Sequence, residues 1–317
     1  MTLAFIFPGQ GSQEIGMGKA LAEAFPAARA VFEEVDAALG QDLSGLMWGG
    51  DIAELTLTSN TQPALMAHSV AAFRTLEAEF GITAKDAAFV AGHSLGEYSA
   101  LAAAGAISLA DTARLLRIRG NAMQSAVKPG EGAMAALLGA EIGQAEAAAA
   151  AGRETGQACE IANDNAPGQI VISGTRAAID AAIVYAQANG VKKAMALNVS
   201  APFHCSLMQP AADAMAEALA KTDIKTPAVP LVANVSAAAV VDPETIRQNL
   251  IKQVTGRVRW TETIQYMVRE GVTTTAEVGN GKVLTVMQRR IEKSLTTFTL
   301  GAPEDLEAFA KALRGEA

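Results

Sequence analysis

Between a buried strand pattern at 87–91 and a helix pattern running from about residue 97 to 104, the chain reads Gly92-His93-Ser94-Leu95-Gly96. A G-x-S-x-G run in that position is the signature of a nucleophile elbow. It requires a strand that ends in the core, a turn sharp enough to lift the serine hydroxyl clear of the sheet, and a helix that begins at once behind it. The flanking glycines let backbone approach from both sides. The helix N-terminus then aims its free amides at the point where an oxyanion forms. The bland alternative is a glycine-rich corner with no chemistry, and the strand before it and helix after it favour catalysis.

The rest of the chain alternates in the same way, which predicts an α/β sheet. Leu3–Phe7 is a short apolar run closed by Pro8 and reads as a buried first strand. Helices are expected from Pro26 to about Gly40, from Thr61 as N-cap (with Pro63 in its first turn) to Gly81, and from about Ser108 to Val127. Pro129-Gly130-Glu131-Gly132 then breaks the rhythm. After it, strands at 133–138, 157–163, 169–173 and 192–199 and helices at 141–151 and 175–189 follow in the order βαββαβ, with a turn at 164–168. That order is the ferredoxin-like unit. Strand patterns at 230–235 and 273–278, with helices near 205–220, 260–269 and 282–293, resume the larger sheet. The expected division is a core from 1–127 and 199–317 with an inserted subdomain at 128–198.

Composition narrows the function classes. Half of the 317 residues are hydrophobic and only 5% aromatic, so the core must be mostly aliphatic. Net charge is −8, the wrong sign for nonspecific nucleic-acid binding. No stretch offers the ~20 mostly apolar residues of a membrane helix, and the N-terminus lacks the features of a signal peptide. The two cysteines, Cys159 and Cys205, form no CxxC pair. A reduced, cytoplasmic protein is expected, and a monomer, since no interface stripe is evident. HExxH and clustered carboxylates are absent, so no metal is expected.

A serine nucleophile needs a base. Only three histidines are present. His93 adjoins the serine and suits local hydrogen bonding. His68 lies on a mostly apolar helix face and suits a structural role. His204, in Val199-Ser200-Ala201-Pro202-Phe203-His204, stands in a loop at a domain junction and is the expected base. No third acid is selected by spacing: Asp164 and Asp180 are in range, and a backbone carbonyl can orient an imidazole equally well. A second glycine-rich segment, Phe7-Pro8-Gly9-Gln10-Gly11-Ser12-Gln13, fails the dinucleotide fingerprint, because Glu14 stands where the third glycine belongs. Beside the elbow it can supply a second oxyanion amide. Gly281-Lys282 is followed by Val283, so no phosphate-binding loop is present. Arg114, Arg117 and Arg119 cannot share one helix face. Arg119 is four residues from Leu115 and can point inward, where it would need an anionic partner, or outward into solvent.

Taken together, these segments resemble the malonyl-CoA:acyl carrier protein transacylase family. The most specific strings are the Phe7–Gln13 segment and Gly92-His93-Ser94-Leu95-Gly96-Glu97-Tyr98. Asn165-Ala166-Pro167-Gly168-Gln169, residues 199–204, Gln253 to Trp260 and Glu277-Val278-Gly279 match in order. The resemblance covers nearly the whole chain. It implies an α/β-hydrolase-like core with a parallel sheet and an inserted ferredoxin-like subdomain. It places the nucleophile on Ser94, the base on His204, the oxyanion amides on Gln10 and Leu95, and the carboxylate-binding arginine on Arg119. It implies that the Gln253 backbone carbonyl orients His204, which accounts for the missing acid. Asn165 falls near the site, and Phe203 resembles malonyl-selective rather than methylmalonyl-selective relatives. Asn280, where many relatives have proline, and Ala166, where serine is common, depart from the pattern at positions with no expected role.

The implied partners are malonyl-CoA and an acyl carrier protein, with no resident cofactor. Acyl carrier proteins are acidic, so docking calls for a local basic patch; Lys192, Lys193, Arg289 and Arg290 are candidates. The implied reaction is ping-pong malonyl transfer through malonyl-Ser94, supplying fatty-acid synthesis. The alternatives are a serine esterase or thioesterase on the same elbow, a methylmalonyl-selective acyltransferase, and a non-catalytic carrier-protein-binding module.

Overall fold

The structure is a computed structural model that describes residues 2–316. Among them, ten strands form two sheets. The strands are β1 (Leu3–Phe7), β2 (Phe89–Gly92), β3 (Gly132–Leu138), β4 (Cys159–Ala166), β5 (Gln169–Thr175), β6 (Lys193–Ala196), β7 (Leu231–Val232), β8 (Ala239–Val240), β9 (Thr274–Val278) and β10 (Thr296–Leu300). The larger sheet has the order β10-β9-β1-β2-β7-β8 and is parallel except for β8.

β1 is buried along its whole length because both faces of this sheet are covered. Phe5 and Phe7 pack on one side with Phe73 of helix Thr58–Phe80 and Phe309 of helix Pro303–Arg314. Ala4 and Ile6 face the other side with Trp260 and Ile264 of helix Trp260–Arg269 and Leu284 of helix Val283–Ile291. β1 pairs with β2 so that Phe7 lies beside Gly92. The two glycine-rich segments therefore leave the sheet side by side at its carboxyl edge, where α/β sheets bind ligands.

The smaller sheet is antiparallel with the order β4-β5-β3-β6, the ferredoxin-like arrangement expected from the pattern. Helices Ile142–Arg153 and Arg176–Ala188 pack on it through alanines and Ile170, Ile172 and Ile179. Its edge strand β4 is tied to the core chain by Asp164 N–H to Val258 O (2.9 Å) and Val258 N–H to Ala162 O (2.8 Å).

Three local expectations are corrected. The helix expected to be capped by Thr61 starts at Thr58, which puts Pro63 inside it. The extra turn is held by one local and one remote contact: the Thr61 hydroxyl donates to Leu55 O, and the Thr58 hydroxyl hydrogen-bonds with that of Ser200. The strand expected at 192–199 is ordered only over Lys193–Ala196, and the chain then leaves the sheet to line a pocket. The turn expected at 164–168 is tighter, because β4 runs on to Ala166 with irregularities at Ile161/Asn163 and Asp164/Ala166. Such bulges re-aim side chains, and here they fall beside Asn165.

Candidate active site

The elbow is built by backbone contact. A Cβ on Gly92 would overlap the carbonyl of Gly96, and one on Gly96 would overlap the carbonyl of Phe7. No side chain fits at either position, so Gly92→Ala is expected to lower stability by at least about 2 kcal/mol, read as a fall in the urea midpoint at unchanged slope. Ser94 itself sits at φ 54°. A non-glycine residue held in the left-handed region costs on the order of 1–3 kcal/mol and needs surrounding support. Asn234 supplies it: its Oδ1 accepts from Ser94 N–H (2.8 Å) and its Nδ2 donates to Gly92 O (2.7 Å).

His204, at φ 58°, is likewise left-handed. Its Nε2 lies 2.8 Å from Ser94 Oγ. Its Nδ1 lies 2.9 Å from the backbone carbonyl of Gln253. A carbonyl can only accept, so Nδ1 carries the proton and Nε2 presents a lone pair to the serine. Burial, reinforced by the nearby Arg119 charge, lowers the His204 pKa to about 3. The ring is therefore neutral at physiological pH. Neither suggested acid orients it: Asp164 accepts from the Thr261 hydroxyl (2.7 Å), and Asp180 is exposed on its helix.

The other two histidines are engaged elsewhere. His93 Nε2 meets Asn165 Oδ1 at 2.7 Å, and its ring stands edge-on to Trp260. His68 is buried with Nε2 2.9 Å from Gly301 O, and burial lowers its pKa to about 4. Asn165 thus acts on His93 rather than on Ser94 directly.

Arg119, on helix Leu109–Ser125, points inward and is only 1% exposed. Its Nη1 donates to Gln62 Oε1 (2.7 Å), and its Nη2 donates to Gln253 Oε1 (2.9 Å) and to Ser94 Oγ (3.1 Å). The guanidinium carbon lies 5.7 Å from the centre of the Tyr98 ring. No carboxylate forms an ion pair with it among the described residues. A buried arginine with neutral partners and a serine at hand is a receptor for an incoming anion. Arg117, two residues earlier, turns instead to Gln41 and Asn60, and Arg114 pairs with Asp111 at the surface.

Ser94, His204 and Arg119 share a cleft of about 240 Å³. Met134, Val171, Leu197 and Phe203 form an apolar wall of it, and Met123 also lines it. Gln10 and Leu95 stand at the same cleft. Neither of their backbone amides has an acceptor among the described residues. Asn280 proves relevant to this edge: its Nδ2 donates to Ser12 O (2.5 Å) and to Glu14 Oε1 (3.1 Å), which anchors the loop carrying Gln10. Ala166 is buried in the core cluster that includes Trp260. No group of three His, Cys, Asp or Glu residues able to hold a metal occurs among the described residues.

Gln62, Glu97 and Asn234 belong to this site and were not singled out by sequence reasoning. Glu97 carried one signal: an acid three residues after the serine, in the first turn of helix Gly96–Ala103, where the helix dipole favours it. Gln62 and Asn234 carried none, because their partners are remote in the chain.

The chain is similar to known proteins over nearly its whole length. Residues 4–302 match the family model described as acyl transferase domain. A Bacillus subtilis (strain 168) protein named malonyl CoA-acyl carrier protein transacylase is 46% identical over 314 residues, covering 99% of this chain and 98% of its own. The solved acyl-carrier-protein-S-malonyltransferase of Bartonella henselae is 55% identical with a TM-score of 0.96, covering 99% of this chain and 100% of that one. A malonyl-transacylase solved in complex with a type II PKS acyl-carrier protein is 40% identical with a TM-score of 0.94, covering 99% and 100%. The chain belongs to the malonyl-CoA:acyl carrier protein transacylase family.

Proposed function

We propose that this chain transfers the malonyl group of malonyl-CoA to the phosphopantetheine thiol of an acyl carrier protein, through a malonyl ester on Ser94. The observation that carries the reading is the convergence on one serine oxygen of a neutral imidazole at 2.8 Å and a buried guanidinium at 3.1 Å. The names of the relatives and the carrier-protein complex of one of them support the same substrates.

In the first half-reaction His204 Nε2 takes the Ser94 proton as Oγ attacks the thioester carbon. The amides of Gln10 and Leu95 receive the oxyanion, a contribution worth about 10²–10³ in rate per donor. The C–S bond breaks, and the CoA sulfur leaves with the proton from His204. In the second half-reaction His204 takes the proton of the pantetheine thiol, the thiolate attacks the ester, and Ser94 regains the proton. Arg119 binds the free carboxylate of the malonyl group. Proton and electron pair are accounted for at every step without a cofactor. Phe203, on the apolar wall, limits substituents at the malonyl α-carbon, and fatty-acid synthesis is the proposed destination of the product.

Intact mass after brief incubation with malonyl-CoA tests the reading. One malonyl adduct on Ser94, discharged by carrier protein and not by water, is expected. Rapid release of malonate without an adduct would instead make the protein a thioesterase. Because kcat/KM reports the free enzyme, its acid limb is expected well below the ordinary histidine value of 6.5, since burial and Arg119 hold His204 down. A limb at 6.5 would show a solvated, uncoupled imidazole. Lys192, Lys193, Arg289 and Arg290 are all exposed. Reversing the charges of Lys192 and Lys193 is expected to raise the carrier-protein KM roughly tenfold at low salt while sparing the CoA half-reaction. An unchanged KM removes that pair from the docking surface.

A further inference from the structure

Glu97 is fully buried, outside the cleft lining, and has no part in the mechanism above. One of its oxygens nevertheless ties the machinery together. Oε2 accepts the Asn234 backbone N–H (3.0 Å) and Gln253 Nε2–H (2.8 Å). Asn234 holds the Ser94 amide, and the Gln253 carbonyl holds His204. Gln253 Nε2 also donates to Ser94 O (3.0 Å). A carboxylate and a carbonyl both demand a donor, so the Gln253 amide is fixed with its Oε1 toward Arg119. The chain of contacts runs from Arg119 through Gln253 to Glu97, with the cation at one end and the anion at the other.

The second oxygen, Oε1, is buried and has no hydrogen-bond partner among the described residues. A proton placed there disturbs none of the bonds made by Oε2. The ionisable groups facing Glu97 are Arg119 from helix Leu109–Ser125 and the Tyr98 phenol beside it. The loop after β7 and helix Pro243–Thr255 face it with Asn234 and Gln253, which are uncharged. The His93 and His204 imidazoles are committed to Asn165, Ser94 and Gln253.

Resting on the malonyl-transfer reading, we propose that Glu97 is a positioning residue that balances the Arg119 charge in the empty site and takes a proton on Oε1 when a malonyl carboxylate arrives. Two carboxylates then face one buried cation, and the one without its own solvation or ion pair takes the proton from solvent. Burial already raises the Glu97 pKa to about 7, against Asn234, Gln253 and Arg119, which lower it. The device makes malonyl binding proton-linked and leaves acetyl binding unlinked. The sign follows: a group whose pKa rises on binding weakens that binding as pH climbs above its free value.

The experiment is proton uptake on acylation, measured with a pH indicator in weak buffer, alongside intact mass on the same samples. Malonyl-CoA should draw in nearly one proton per adduct at about pH 8 and almost none at about pH 6. Acetyl-CoA, which carries the same CoA phosphates, should draw in none at either pH. In Glu97→Gln the uptake should vanish, and the rise of malonyl-CoA KM above neutral pH (approaching tenfold per unit in the parent) should flatten. An adduct formed without proton uptake overturns the role of Glu97 and leaves the transfer reading intact. Absence of any adduct overturns the transfer reading itself. The parent measurement decides the matter even if the variant folds poorly.

Discussion

Alanine at Ser94, at His204, or at both is expected to cost malonyl transfer the same factor, on the order of 10⁴–10⁶. The two groups act as one unit. Without His204 the serine keeps its proton, and the remaining contact from Arg119 Nη2 donates to Oγ and does not remove a proton from it. Without Ser94 the imidazole has no nucleophile to activate. What survives is binding and the oxyanion amides, which do not depend on either side chain. Steady-state malonyl transfer by the two single variants and the double variant checks this. A double variant that loses the product of the single losses would show that the pair acts independently and that His204 is not the base. The Ser94→Ala preparation should also show no malonyl adduct by mass.

Arg119→Ala is expected to reduce malonyl transfer by about 10²–10⁴-fold more than acetyl transfer. The figure follows from the roughly 3–5 kcal/mol lost when one partner of a buried pair is removed. The malonyl carboxylate would enter a pocket whose remaining neighbours include an apolar wall and the carbonyl oxygens of Gln62 and Gln253. Those oxygens repel it. The substitution will also lower stability, since it strips two buried acceptors of their donor and leaves Glu97 without its counter-charge. Measuring both acyl donors on one preparation cancels the folded fraction. Equal losses for the two donors would reject a role for Arg119 in acyl selection. Arg119→Lys keeps the charge but not the planar fork, and should recover part of the ratio.

The elbow was legible because its constraints are local. Gly92, Ser94 and Gly96 lie within five residues, and a strand and a helix flank them. His204 was legible by elimination in a chain with three histidines. The inward turn of Arg119 was not decided by spacing, because an arginine four residues from a leucine fits either face. Burial on helix Leu109–Ser125 decides it. Gln62 and Asn234 were invisible for a different reason: amides bring no charge and no spacing rule, and Asn234 reaches Ser94 across 140 residues. The start of helix Thr58–Phe80 was misplaced because Pro63 reads as a first-turn residue. The contacts that extend the helix backwards come from Leu55 and Ser200. Helix Pro243–Thr255, which carries Gln253, has a local signal in Asp242 as cap and Pro243 as opener, but strand-and-helix alternation does not bring it out.

The separation of 110 positions between Ser94 and His204 has a consequence for the order of events on the folding chain. Pairing of Ala135 with Ala196 takes most of the smaller sheet out of the loop that must close. At roughly 0.6 kcal/mol per halving of loop length, the saving is modest. The sequence of steps matters more. Until β3 and β6 have zipped together and the Gln253 carbonyl has come into place, Ser94 is an ordinary alcohol with no base beside it. A newly made or partly opened chain therefore carries no activated nucleophile. Thioester consumption should begin only when both segments are in place and cease when either leaves.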